Sequence, residues 1–337
     1  MVGHAAEVGQ PRRKFGEKCK NRPSVSDFLW GMSRHLRFIP EGGALVEVTC
    51  RAIQGRLLLR PSPQLNEIIL GVLGRAQRLY PLEIVAYVLA SNHYHLVLRT
   101  ETAKQLSDFM WYFNGNLAKE LARETGWEDK VWSRRYQAIL ISEEEEAQVA
   151  RLKYVLGNGV KENLVARAEE WPGVHCVTPL LTGGPVAGTW FDRTLEYTAW
   201  LRGKELAPGE SASPETVHLS QLPCWAGLAP EVYRSRIADL VQEIEEAAAA
   251  AREESRIPPL GAKAILAQQP ETRPKKIKKS PAPFCHALRK QVRKALWEAY
   301  GMFFAAYRVA AEKLKEGDWT AVFPPGSFPP RLPFVAV

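Results

Sequence analysis

The sequence lacks paired cysteines, long apolar runs and an N-terminal apolar leader, and each absence narrows the field. Its cysteines, Cys19, Cys50, Cys176, Cys224 and Cys285, are scattered, odd in number and without any C-x-x-C spacing. That pattern argues against a disulfide framework or a structural zinc site, and for a reducing, cytoplasmic setting. No stretch approaches the roughly eighteen apolar residues of a membrane span, so no membrane association is expected. The first residues are basic, but no apolar segment follows them as it would in a secretory signal. Residues 1–34 read as a flexible basic arm, and no internal repeat is detected.

What is present fits a soluble globular chain of 337 residues, 46% hydrophobic and 24% charged. The formal charge of +8 leans toward a polyanionic partner, because clustered Lys and Arg gain affinity by releasing counterions from phosphates. Alternation in 44–53 predicts a strand, and helical spacing over 62–81 predicts a helix. Residues 82–91 and 93–100 read as two strands joined tightly at Ser91 and Asn92, which makes a hairpin. A long helical pattern over 103–126, closed by Gly126, precedes a strand at 134–142. Ser142 is a plausible N-cap for a further helix whose first turn is acidic, as suits the positive end of the helix dipole. The order β-α-β-β-α-β-α predicts an α+β fold: a ferredoxin-like antiparallel sheet with helices on one face, spanning residues 35–180. Glycine- and proline-rich breaks follow, so residues 181–337 read as a mainly helical, basic and Pro-rich C-terminal extension, with helices at 230–256 and 284–316.

The run VLASNHYHLVLRT contains two histidines one residue apart. On a strand, side chains at i and i+2 share a face, so His93 and His95 project together and can bind one divalent cation. Further along, Tyr154 and Asn158 are spaced i and i+4, one helical turn apart. A His-x-His pair with one amide oxygen suits Mg²⁺ or Mn²⁺, with phosphate oxygens completing the shell. The plainer alternatives are that Tyr154 is a half-buried helix aromatic and that Asn158 caps a helix beside Gly157 and Gly159. The segment KVWSRRYQ combines Trp132 and Tyr136 with Lys130, Arg134 and Arg135, a mixture that can stack bases and hold phosphates. Lys275, Lys276, Lys278 and Lys279 add a basic cluster that favours DNA over a neutral partner. His175 and His286 lie next to cysteines without metal spacing and are read as structural, as are His4, His35 and His218.

Together the segments VLASNHYHLVLR, VWSRRYQAILI and YVLGNGVKENLV resemble the HUH single-tyrosine transposases, specifically the REP-associated tyrosine transposases of the IS200-like family. The resemblance covers about residues 35–180. It implies that Tyr154 is the nucleophile, that His93, His95 and Asn158 hold Mg²⁺ or Mn²⁺, and that single-stranded or hairpin DNA is cut and rejoined through a 5′-phosphotyrosine. Many relatives have proline where this chain has Gly159. The phenol of a tyrosine is protonated at neutral pH and needs a nearby cation or base; Lys153 and Lys161 are both candidates, and Lys161 is also a candidate DNA contact. A homodimer that exchanges the tyrosine helix is compatible with the resemblance. Two other functions remain open: a host-adopted hairpin-binding protein without transposition, and a metal-dependent phosphodiesterase that uses water.

Overall fold

Alternation in ALVEVTCR puts Val46, Val48 and Cys50 on one face of β1 (Ala44–Arg51) and Leu45, Glu47, Thr49 and Arg51 on the other. The structure, a computed structural model, describes residues 37–274 and 282–329. After β1, the Ser62 hydroxyl accepts from Leu65 N–H at 3.1 Å, and a proline opens α1 (Pro63–Leu79) where no amide hydrogen is needed. β2 (Glu83–Ala90) and β3 (His93–Thr100) form the expected hairpin, with Ala90 opposite His93 across Ser91 and Asn92. Thr102 caps α2 (Ala103–Thr125), and Gly126 closes it in the left-handed region at φ 68°. β4 (Gln137–Ile141) returns beside β1.

The strand order is β2-β3-β1-β4, all antiparallel, with β7 (Cys285–His286) added beside β4 in parallel. This is the α+β arrangement expected from the sequence. One sheet face, carrying Val46, Val48, Tyr94, Leu96 and Leu98, is buried against α2 through Phe109 and Phe113, with α1 packed beside α2. Across the opposite face lies α3 (Glu145–Leu156), which packs on β2, β3 and β4, so only α1 and α2 share the single helical face expected from the sequence.

Two local expectations are corrected. Ser142 does not cap α3: its N–H is tied to the His286 carbonyl at 2.9 Å and its hydroxyl donates to Glu144, which itself occupies the N-cap position. The strand expected from residue 134 begins at Gln137, so Arg134, Arg135 and Tyr136 precede it.

Beyond α4 (Val177–Thr182), the segments read from sequence as breaks contain β5 (Val186–Phe191), α5 (Arg193–Leu201) and β6 (Ala212–Val217). β5 and β6 pair and lie on α1. The approach is so close that a Cβ on Gly71 would sit 2.1 Å from the Thr189 carbonyl, and one on Gly188 2.3 Å from the Gly71 nitrogen. Glycine is required at both positions. Arg75 and Arg78 of α1 then grip the buried Glu215 of β6 at 2.9 and 3.0 Å. α6 (Pro230–Ser255), α7 (Ala262–Leu266) and α8 (Lys290–Lys315) complete the described elements. Among the described residues no helix is long and apolar enough to cross a membrane.

Candidate functional site

β3 turns His93 and His95 to the sheet face that α3 covers, with ring centroids 5.0 Å apart and ring planes at 86°. Tyr94, between them, faces the other way and donates its hydroxyl to Asn114 at 2.6 Å. From α3, the Tyr154 ring meets the His95 ring edge-on at 5.2 Å. The strand and the helix therefore bring the two imidazoles and the phenol into one locality.

Hydrogen bonds decide which imidazole nitrogens are free. Asn92 donates its amide nitrogen to the Gly55 carbonyl at 3.1 Å, so its oxygen faces His93 Nδ1, 2.7 Å away. That oxygen can only accept, which puts the His93 proton on Nδ1. His95 Nδ1 lies 2.7 Å from Glu47 Oε1, and an ionised carboxylate also only accepts. Both rings thus carry a proton on Nδ1. Burial, reinforced by the neighbouring His95, Arg51 and Lys161, pushes the His93 pKa down to about 3, so this ring is neutral and ligand-competent at physiological pH.

Asn158 is 2% exposed and lies just past the end of α3. Its side-chain nitrogen donates to the carbonyls of Tyr154 at 2.9 Å and Val155 at 3.4 Å, which closes the helix. The capping role thus uses Nδ2 and leaves Oδ1 as the oxygen able to bind a cation. Gly159 has φ 89°, a left-handed value closed to proline's fixed ring, and a Cβ there would press on Trp171 at 3.1 Å. The glycine therefore shapes the turn that carries Asn158.

Around the phenol, Lys161 Nζ is 3.1 Å from the Tyr154 ring centroid and the Arg151 guanidinium is 4.7 Å from it. Lys153 points elsewhere, to Glu243 at 2.5 Å. Burial first, then the charges of Glu47 and Glu162, raise the Tyr154 pKa above its ordinary 10.0, against the pull of Arg151 and Arg51. The phenol is therefore protonated in this state.

Glu47, Arg151 and His286 escaped the sequence reading of the site. Glu47 is 3% exposed and is held by His95, His286 and Arg151. Burial would push its carboxyl up, but hydrogen bonds from His286 and His95 hold it far below the usual carboxylate range. The signal for Glu47 was a charge in the middle of an apolar alternation. His286, read as structural from its sequence context, comes from the C-terminal extension and lies beside the site.

The DNA-contact candidates divide. Lys130, Arg134 and Arg135 are exposed. Trp132 is half-buried, meets Tyr94 edge-to-face and gives its indole N–H to the Asn114 carbonyl, while Tyr136 is buried beneath Arg37 and offers no free face for a base. Lys275, Lys276, Lys278 and Lys279 lie outside the described residues, as does the basic arm 1–34.

Among the described residues no group of three or more His, Cys, Asp or Glu side chains is arranged to hold a metal. A third ligand beside His93 and His95 must come from another residue type, and the Asn158 oxygen has the right chemistry. The residues that could hold Mg²⁺ or Mn²⁺ here are His93 and His95, whose Nδ1 atoms are taken by Asn92 and Glu47, with Asn158 able to offer an amide oxygen and phosphate able to fill the remaining positions.

Residues 62–156 match the family described as Transposase IS200 like. The matched span runs from the cap of α1 to the end of α3 and holds His93, His95 and Tyr154, so the resemblance read from the sequence is shown over this segment. No curated protein matches the chain. Among solved structures, a REP-associated tyrosine transposase bound to a REP hairpin is similar at 18% identity and TM-score 0.35, over 44% of this chain and 86% of that one. A transposase candidate from Deinococcus radiodurans R1 is similar at 17% identity and TM-score 0.26, over 36% of this chain and 95% of that one. Neither of these two likenesses speaks to chemistry.

Proposed function

We propose that this chain is a metal-dependent transposase that cleaves and rejoins single-stranded DNA at hairpin-forming sites. Residues 35–180 form its catalytic unit and residues 181–337 its extension. The observation that carries the reading is the edge-on contact of the Tyr154 and His95 rings at 5.2 Å, beside His93. Hairpin DNA as substrate rests on the resemblance to the IS200-like family, and a cytoplasmic location on the same ground.

His93 and His95, through Nε2, and Asn158, through Oδ1, would hold a divalent cation, which would supply positive charge to the scissile phosphate. Tyr154 attacks the phosphorus through its oxygen as it gives up its proton. The bond from phosphorus to the 3′ oxygen breaks, that oxygen leaves with the electron pair and takes a proton, and the 5′ phosphate remains on Tyr154. A second 3′-hydroxyl reverses the step and joins new ends. Arg151 and Lys161 hold positive charge against the ring and favour the phenolate as it forms. Exposed Lys130, Arg134 and Arg135 supply contacts to the DNA backbone.

The test is to incubate the full chain with Mn²⁺ and a labelled hairpin oligonucleotide and look for a product that survives denaturation. The adduct forms with the wild type and is lost with Tyr154→Phe. Binding without adduct supports a hairpin-binding protein instead, and cleavage that persists in Tyr154→Phe supports a hydrolase that uses water. Tyr154 and His95 meet within one chain, which favours a site built in cis. Mixing Tyr154→Phe with His93→Ala subunits tests the homodimer: recovered adduct means that the tyrosine is exchanged.

A further inference from the structure

Glu47 has no part in the chemistry just described, yet it is the most heavily engaged carboxylate near it. Its two oxygens are divided between two imidazoles, Oε1 to His95 Nδ1 and Oε2 to His286 Nε2, each at 2.7 Å. Arg151 Nη1 stands 3.5 Å from Oε2 and 3.5 Å from the same His286 nitrogen. A carboxylate in a low-dielectric interior persists only when it is hydrogen-bonded and paired in this way.

Strand register sets the contact with His95. Thr49 lies opposite His95 and Glu47 opposite Val97, so Glu47 is one place along the same sheet face from His95. The contact with His286 is imposed from a distance of 239 residues in sequence, because β7 enters beside β4 with His286 opposite Ile141. That entry is fastened at both ends. Leu140 N–H donates to the Phe284 carbonyl and Ser142 N–H to that of His286, at 3.3 and 2.9 Å. A few residues on, Glu144 accepts from the backbone N–H groups of Leu288 and Arg289, both at 3.0 Å, and from Arg289 Nε at 2.8 Å.

We propose that Glu47 is a positioning residue that fixes His95 in its Nδ1–H tautomer, and that His286, delivered by the C-terminal extension, fixes Glu47. The proposal rests on the metal-site reading of His93, His95 and Asn158 and adds what orients it. An imidazole that binds a metal through Nε2 has its ring orientation and tautomer set by the acceptor on Nδ1, and loss of such an acceptor weakens metal binding about 10–100-fold. His93 has Asn92 for this purpose; His95 has Glu47. The extension is then part of the machinery of the site, reaching it through one side chain.

The experiment uses the full chain without DNA. In metal-free protein with ¹⁵N-labelled imidazoles, long-range ¹H–¹⁵N spectra report the His95 tautomer, and calorimetric titration with Mn²⁺ reports affinity. Wild type shows His95 protonated on Nδ1. Glu47→Gln gives a tautomer mixture and about 10-fold or weaker Mn²⁺ binding. His286→Ala shifts both readouts the same way by about 3–10-fold, and the double variant is no weaker than Glu47→Gln alone, because His286 acts through Glu47. An unchanged tautomer with unchanged Mn²⁺ affinity in both single variants overturns the proposal. Should Glu47→Gln fail to fold, His286→Ala at the sheet edge decides alone. His95→Ala separates the two levels. If it leaves Mn²⁺ binding intact, the metal reading fails; if it weakens binding while Glu47→Gln and His286→Ala do not, only the positioning role fails.

Discussion

The two faces of the central sheet are buried by different means. Against α2, the sheet presents Val46, Val48, Tyr94, Leu96 and Leu98, and α2 answers with Phe109, Met110 and Phe113, all fully or nearly fully buried. Against α3 it presents Glu47, His93 and His95, and α3 answers with Arg151 and Tyr154. The first face gains stability from apolar area removed from water, roughly in proportion to that area. The second mixes buried apolar side chains, Leu45, Val97, Ile139 and Ile141, with charges and imidazoles whose burial is offset by hydrogen bonds. The polar groups that can act on a substrate are thus confined to one face, and β3 lines both faces because side chains alternate along it.

Substitutions should respect that separation. Phe113→Ala on the apolar face is expected to remove about 3–5 kcal/mol of unfolding free energy, measured by urea titration, while the folded fraction binds Mn²⁺ as before. A loss of Mn²⁺ affinity in the folded fraction would break the division. A smaller effect is expected on the polar face with acid. His93 is held neutral, with its pKa lowered from 6.5 to about 3, so the unfolded chain takes up a proton that the folded chain refuses as pH falls through 6.5. Stability contributed this way is present above pH 6.5 and declines as pH falls toward 3. Glu144, pulled from 4.5 down to about 2 by hydrogen bonds from Ser142 and Arg289, acts lower on the scale. Its contribution is present above pH 4.5 and is lost toward pH 2. The urea midpoint should therefore drop already between pH 6.5 and 4.5, and His93→Gln should flatten that part of the curve; an unaltered slope would place the acid sensitivity elsewhere.

The ferredoxin-like core was legible because its elements announce themselves locally: helical spacing over 62–81 and 103–126, Gly126 as a stop, and alternation in β1. The candidate site was legible to the same depth, since His-x-His fixes a shared face without reference to the rest of the chain. What stayed hidden depends on distant chain segments. β7 is two residues long and is created by β4, so nothing in Cys285 and His286 themselves marks a strand or a neighbour of Glu47. β5 and β6 were masked by the glycines and prolines around them, although Gly188 is needed for the close approach to α1. Tyr136 looked like part of a base-stacking surface because composition does not reveal which way an aromatic faces.

The convergence of two imidazoles and an amide oxygen on one ion is tested most directly by electron–nuclear double resonance of Mn²⁺ bound to protein with ¹⁵N-labelled histidine. The account predicts two directly coordinated nitrogens, one lost in His93→Ala and one in His95→Ala, with both retained in Tyr154→Phe. A bound Mn²⁺ with no nitrogen coupling, or with couplings indifferent to both histidine substitutions, would contradict it.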